Sequence, residues 1–180
     1  MEEKIIISGF GGQGIMLMGK LLTYATLLEE KNVTWLPSYG PQMRGGTANC
    51  MVVISTRKIA SPYVNESSSL IVMNNPSLDR FEHSVKPGGL ILINSSMVKR
   101  DIKRKDITIF KIPVIEIAEN LGNIRVANMV ALGAFVGIKT LVTINSLSSS
   151  LKKVLSIRHK DLLNLNKKAL KCGFEIASEV

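Results

Sequence analysis

The stretch KIIISGFGGQGIM, residues 4–16, joins a short apolar run to the start of a helical pattern through a glycine-rich turn. Residues 4–8 are mostly β-branched and are followed by glycine, which is typical of a short buried strand. From Gly14 to Glu30, apolar residues recur at steps of three and four, which predicts a helix. Val33 to Leu36 then predicts a second strand. The opening therefore predicts a β–α–β unit, whose two strands normally form a parallel pair.

The turn itself has the G-x-G-x-x-G spacing at positions 9, 11 and 14. A glycine turn before a helix presents unpaired N–H groups at the positive end of the helix dipole, which favours an anion. A dinucleotide site also needs an acidic residue at the end of the second strand. That strand ends in Leu36-Pro37-Ser38, whereas Glu29 and Glu30 come too early. A dinucleotide-binding turn, a turn facing a phosphate or a subunit, and a packing turn all remain open.

The rest of the chain predicts one α/β domain over residues 1–180, a three-layer Rossmann-like arrangement with helices flanking a mostly parallel, mixed sheet. Thr47 to Ser55 predicts a strand, and because no helix precedes it, we expect it to run antiparallel. Gly133 and Gly137 lie one turn apart in a predicted helix and allow close packing on a neighbour. Further strands are predicted at 70–73, 90–93 and 107–112, a turn at 86–89, and helices from about 76 through His83, at 126–139 and at 160–178.

Ligands of open α/β sheets lie at the carboxyl ends of the parallel strands. In this sequence that edge would carry the glycine turn, the loop at 38–46, and the polar pairs 74–75 and 94–95. An antiparallel third strand would bring Thr47 and Asn49 to the same edge. Within the loop, Arg44 could hold a carboxylate or phosphate bidentately, and Gly45 and Gly46 would let a ligand approach the backbone. An ordinary surface arginine in a turn explains Arg44 equally well.

The net charge and the composition limit the classes of function that this chain can have. The formal net charge is +9, with basic residues concentrated at 99–105 and in the C-terminal third. A positive net charge of this size favours binding to nucleic acid. Aromatic residues make up only 5%, however, which leaves few side chains on which bases could stack. A solvated basic face or a subunit contact is the simpler interpretation. His83 and His159 are isolated, so we expect both to be surface or capping residues.

The N-terminus lacks the pattern of a signal peptide, and no apolar run approaches the length that spans a bilayer. The two cysteines, Cys50 and Cys172, lie far apart, which fits a reducing cytoplasm and excludes a four-cysteine cluster site built from this chain alone. No nucleophile lies near a base in the sequence, so we expect no complete active site and no metal site in this chain. Any chemistry would be shared with another chain.

Three strings of residues together resemble the gamma subunit of 2-oxoacid:ferredoxin oxidoreductases. They are residues 7–15, SYGPQMRGGTANC at 38–50 with residues 53–55, Ile59 and 61–62 beyond it, and NMVALGA at 128–134. The resemblance covers most of the chain and looks most like the 2-oxoglutarate branch, then the branched-chain 2-oxoacid branch. It implies a complex that decarboxylates a 2-oxoacid, passes electrons to ferredoxin and forms an acyl-CoA.

The resemblance also implies which subunits of the complex hold the cofactors. Thiamine diphosphate, Mg²⁺ and the [4Fe–4S] clusters would belong to partner subunits, with no cofactor bound by this chain alone, and ferredoxin would meet the complex. The turn at 11–14 and the loop at 39–47 would face the partners near the cofactor and CoA site. Within that surface, we expect Gln13 to be a polar contact. Neither a membrane nor nucleic acid is expected as a partner. The expected surface consists of Gly11, Gly12, Gln13, Gly14, Ser38, Tyr39, Arg44, Gly45, Gly46, Thr47, Asn49 and Asn128.

Two alternatives to this interpretation stay open. The glycine spacing is compatible with a stand-alone nucleotide-binding oxidoreductase of the Rossmann-like type, and the net charge is compatible with a basic nucleic-acid-binding domain. The basic stretch at 99–105 matches nothing that the resemblance explains.

Overall fold

A computed structural model of the chain describes residues 1–40, 46–155 and 162–179. The described residues contain a six-stranded sheet with the order β2-β3-β1-β4-β5-β6. The strands are β1 (Glu2–Phe10), β2 (Asn32–Tyr39), β3 (Thr47–Ser55), β4 (Ser67–Val72), β5 (Val85–Asn94) and β6 (Thr108–Ile112). The helices are α1 (Ile15–Leu28), α2 (Asn75–Phe81), α3 (Val114–Asn120), α4 (Ala127–Lys139), α5 (Ile144–Val154) and α6 (Leu163–Ser178), with short 3₁₀ helices at Glu82–Ser84 and Ile124–Val126.

The sheet is mixed, which confirms the predicted α/β class. β1, β4, β5 and β6 form parallel pairs, whereas β3 runs antiparallel to both β1 and β2. The expected direct pairing of the first two strands is wrong, because β3 lies between them. The short connection from β2 to β3 leaves room only for an antiparallel return. The returning strand satisfies its backbone groups on both sides, with Phe10 opposite Thr47 and Tyr39 opposite Ala48.

Alternate residues of β1 face two separate apolar clusters, as the strand period of two requires. Ile5 and Ile7 point into the larger cluster with α1, α4 and α6, while Ile6 points into a smaller cluster that includes Leu78 of α2. The helices therefore lie on both faces of the sheet. We call these the α1 face and the α2 face. None of the described helices combines the length and apolar character needed to cross a membrane.

Helices α4 and α6 pack closely through glycines, as the sequence predicts for α4. A Cβ on Gly133 would lie 2.0 Å from the carbonyl oxygen of Leu170, and one on Gly173 would lie 2.1 Å from that of Val130. Only glycine permits this approach of two backbones.

The predicted turn at 86–89 is wrong, because β5 runs through it. Gly88 has a φ of 75°, the left-handed conformation that favours glycine. The pairing jumps from Ser67–Val85 to Ser69–Leu90, so the extra residues form an irregularity inside the strand. The predicted last helix begins at Leu163, and its first predicted residues, 160 and 161, lie outside the described residues, as does His159.

Candidate functional site

The glycine turn links the end of β1 to the start of α1 and is fastened to the β3 side of the sheet. Gly12 and Gly14 have φ angles of 102° and 74°, so both require glycine for the chain to turn without strain. The N–H of Gly11 donates to the carbonyl oxygen of Gly46 at 2.8 Å. The turn and the end of the loop that the sequence singled out therefore meet at one edge of the sheet.

Gln13 holds this turn from within. Its Oε1 accepts from the N–H of Phe10 at 2.7 Å and from the amide of Asn74 at 3.2 Å. Its Nε2 donates to the carbonyl oxygen of Met73 at 3.4 Å. The amide group that we predicted as a contact for a partner thus makes internal hydrogen bonds, which tie the turn to the carboxyl end of β4.

The N-terminus of α1 has no side-chain cap and no acidic residue in its first turn. Gly14 occupies the N-cap position, where a Cβ would lie 2.1 Å from Nδ2 of Asn128. Asn128 is only 5% exposed, and its Oδ1 has no hydrogen-bond partner within the described part of the chain. Free helix N–H groups and a buried amide beside them make a receptive place for an anionic or amide-bearing ligand.

A cavity of about 690 Å³ opens beside this helix end. Its polar contributors are the glycine turn, Gln13, Asn94, Asn128 and the exposed Arg125. The remaining lining is mainly apolar: Leu17, Met73, Met97, Ile115, Ile124, Ala127, Leu155 and Leu162, with Asn166. A mainly apolar cavity with a few polar groups at one end is typical of a site for an extended, partly apolar ligand.

Tyr39 lies on the other side of the glycine turn. It is 50% exposed and, with Phe10 and Ala48, lines a recess of about 360 Å³ that shares Gly12 and Gly14 with the cavity. A Cβ on Gly12 would meet no atom within 4 Å, so the turn is open to approach. The turn therefore separates two concave surfaces at the same edge of the sheet.

The remaining predicted residues divide into three groups. Thr47 pairs with Phe10 at the same edge. Ser38 and Asn49 pair with each other on the α2 face, so they do not line the cavity at Asn128. Arg44 and Gly45 lie outside the described residues. Arg125 and Asn94, which line the cavity, were not among the predicted site residues, although Asn94 was expected at this edge.

Cys50 is not an available nucleophile. The thiol is buried on the α1 face between Gly19 and Trp35, and burial raises its pKa to about 12. No group of three His, Cys, Asp or Glu side chains within 1–40, 46–155 and 162–179 is placed to hold a metal ion. The interposed β3 also separates β1 from β2, whereas the dinucleotide-binding fold has these strands side by side.

Fold and site together define an α/β domain with an anion-receptive edge at the carboxyl ends of its parallel strands. The chain belongs to the pyruvate ferredoxin/flavodoxin oxidoreductase family, whose model matches residues 4–176.

Relatives and a solved structure agree with this membership. The chain is 36% identical to the ketoisovalerate oxidoreductase subunit VorA of Methanothermobacter thermautotrophicus over 99% of its own length, but it spans only 37% of that relative. It is 35% identical to the 2-oxoglutarate synthase subunit KorC of Methanocaldococcus jannaschii, covering all of this chain and 96% of that one. The keto/oxoacid ferredoxin oxidoreductase gamma subunit of Geobacter sulfurreducens has a TM-score of 0.84 at 28% identity, covering 99% of each chain.

Proposed function

We propose that this chain is the gamma-type subunit of a 2-oxoacid:ferredoxin oxidoreductase acting on 2-oxoglutarate. The complex would decarboxylate the 2-oxoacid, transfer the acyl group to the CoA thiol, release CO₂ and pass the electrons to ferredoxin. The family membership and the 35% identity to a 2-oxoglutarate synthase subunit support this assignment. A branched-chain 2-oxoacid is the second candidate, since a ketoisovalerate oxidoreductase subunit is 36% identical.

The observation that carries the role of this chain is the uncapped start of α1 beside the unpaired amide of Asn128. These groups fit a CoA-side surface, because phosphate oxygens accept hydrogen bonds from helix N–H groups and an amide pairs with another amide. The guanidinium of Arg125 at the mouth of the cavity supplies a positive charge, and Leu17 and Met97 supply apolar walls. In this proposal the chain binds and orients CoA and performs no step of the chemistry.

The other cofactors belong to other subunits in this proposal. Thiamine diphosphate with Mg²⁺ and the [4Fe–4S] clusters would be held by partner chains, and ferredoxin would contact those chains. We propose that the surface at Tyr39 and the glycine turn contacts these partners, with Arg44 as a further anion contact. The complex would work in the cytoplasm.

Replacing Asn128 with alanine tests the role of the cavity. We expect the KM for CoA of the assembled enzyme to rise about tenfold, the equivalent of about 1.4 kcal/mol. Folding should be little affected, because the variant removes a buried polar atom that has no partner. The measurements are initial rates at varied CoA and the urea midpoint of the chain.

The matched control is Asn120→Ala, at the exposed end of α3. It should change neither the KM nor the midpoint. An unchanged KM for CoA in Asn128→Ala would remove this cavity from the CoA side. Comparing 2-oxoglutarate with 2-ketoisovalerate in the same assay separates the two substrate candidates.

A further inference from the structure

A separate recess of about 280 Å³ lies on the α2 face, beside β2 and β3. These are the two strands that the loop at 38–46 connects. β2 contributes Ser38 and β3 contributes Asn49, while Arg80 and Phe81 come from the end of α2 and Tyr63 from the connection before β4. None of these residues lines the cavity at Asn128. The recess is thus distinct from the surface that we assign to CoA.

Asn49 faces this recess because of strand alternation. Its neighbours Ala48 and Cys50 point into the cluster on the α1 face, so Asn49 points to the other side with Met51 and Val53. The residue is only 4% exposed, and it lines the recess together with Ser38. A side-chain amide at the wall of a recess can donate a hydrogen bond to an acceptor that enters the recess.

Arg80 supplies a positive charge at the rim of the recess. The side chain is exposed and lies over the ring of Phe81, with Cζ 5.0 Å from the ring centroid. Within the described ranges no carboxylate pairs with it, whereas its neighbour Asp79 pairs with Arg100 at 2.8 Å. A guanidinium stacked on an aromatic ring keeps its N–H groups free to bind a carboxylate bidentately.

We propose that this recess is a carboxylate-binding site. Arg80 holds the carboxylate, the amide of Asn49 donates a further hydrogen bond at the recess wall, and the hydroxyl of Ser38 completes the set of donors. Tyr63, which is 62% exposed, lies at the rim and becomes covered when the site is filled. Two sources supply this chemistry: a free carboxylic acid, or an acidic side chain or chain terminus of a partner subunit. The second source rests on the proposed function.

The first arm of the test titrates the chain with succinate by calorimetry. Arg80→Gln and Asn49→Ala are the variants, and Arg57→Gln is the matched control, because Arg57 is an exposed arginine outside the recess. A free-acid site predicts saturable binding to the unmodified chain and to Arg57→Gln, and at least tenfold weaker binding to the two recess variants. Circular dichroism confirms that each variant is folded. Because Arg80 is exposed, Arg80→Gln disturbs the fold less than Asn49→Ala does.

The second arm measures the affinity of the same chains for the thiamine-binding and iron–sulfur subunits. If succinate does not bind, at least tenfold weaker association of Arg80→Gln and Asn49→Ala, compared with Arg57→Gln, assigns the carboxylate to a partner. If neither arm distinguishes the recess variants from the control, the proposal is overturned. If the unmodified chain binds no partner subunit, the proposed function fails, and the succinate arm alone decides the recess.

Discussion

At the scale of single residues, the amide of Gln13 explains how three loose segments become one surface. The end of β1, the glycine turn and the end of β4 each present backbone groups at the sheet edge, and one side chain reaches all three. The hydrogen bond to Phe10 closes the turn on itself, and the bonds to Met73 and Asn74 fix its position on the sheet. The open surface near Gly12 is thereby preorganised, so a ligand need not order it on binding.

Gln13→Ala should therefore destabilise the chain by about 1–3 kcal/mol, because the N–H of Phe10 loses its acceptor in a partly buried position. Gln13→Glu is the matched variant: it keeps the acceptor oxygens and places a negative charge at a helix N-terminus, which is favourable. Urea unfolding of both variants measures the difference. If glutamate destabilises as much as alanine, the acceptor role of Oε1 is not what holds the turn.

The sequence indicates on which face of the sheet Asn49 lies, but our prediction did not include this face. The prediction put Asn49 at the correct edge, because an antiparallel strand must begin where its neighbour ends. It did not assign a face, although the alternation Ala48-Asn49-Cys50 already separates Asn49 from the two apolar residues. The close approach of Asn128 to Gly14 could not be predicted from spacing, since the two residues lie on different elements far apart in sequence.

At the scale of elements, Glu29 joins the end of α1 to the start of α5. Its Oε1 accepts from the N–H of Thr143 at 2.6 Å, and its Oε2 lies 2.9 Å from Nζ of Lys31. Nζ of Lys31 also donates to the carbonyl oxygen of Leu141 at 2.6 Å. Burial alone would raise the pKa of Glu29, but these hydrogen bonds outweigh it and lower the pKa from 4.5 to about 2.

The lowered pKa predicts an acid-sensitive link between the two helices. A carboxyl whose pKa is lower in the folded than in the unfolded state stabilises the fold above its unfolded pKa, and the contribution is lost as the pH falls towards the folded value. We expect a loss of about 1.5–3 kcal/mol between about pH 5 and about pH 2 from this group. Glu29→Gln does not titrate, so its urea midpoint should depend less on pH over this range. Equal pH dependence in both chains would contradict the assignment.

Elements were predicted better than their arrangement. The absence of a helix between β2 and β3 correctly required an antiparallel strand, but not that this strand would insert beside β1, because that pairing joins distant segments. Similarly, Gly88-Gly89 is a strong turn signal, yet the segment forms an irregularity inside β5, because pairing with β4 at Val85 and again from Leu90 onward holds both of its ends in the sheet. That residues 1–180 form one domain stays a prediction.

At the scale of the whole molecule, the basic stretch at 99–105 divides into two kinds of residue. The arginines are used internally: Arg100 pairs with Asp79 and Glu82, and Arg104 pairs with Asp106 and donates to the carbonyl oxygen of Val85 at 2.7 Å. They hold this segment against α2. The side chains of Lys103 and Lys105 are exposed and make no ion pair within the described part of the chain. Their charge therefore faces outward, where it can act on a partner.

This division predicts opposite effects for the two kinds of residue. Lys103→Glu with Lys105→Glu lowers the net charge of +9 by four, yet the free energy of unfolding should stay within about 0.5 kcal/mol, as for other exposed substitutions. Its association with the partner subunits should be slower at low salt, because basic surface charge steers an acidic partner.

Arg104→Gln should instead lower the free energy of unfolding by about 1–3 kcal/mol, because the carbonyl oxygens of Glu82 and Val85 lose their donor. Urea midpoints and stopped-flow association at low and high salt measure both effects, with the unmodified chain as reference. If the lysine variant associates at the unmodified rate at low salt, the basic stretch does not face a partner, and its charge serves only to keep this surface solvated.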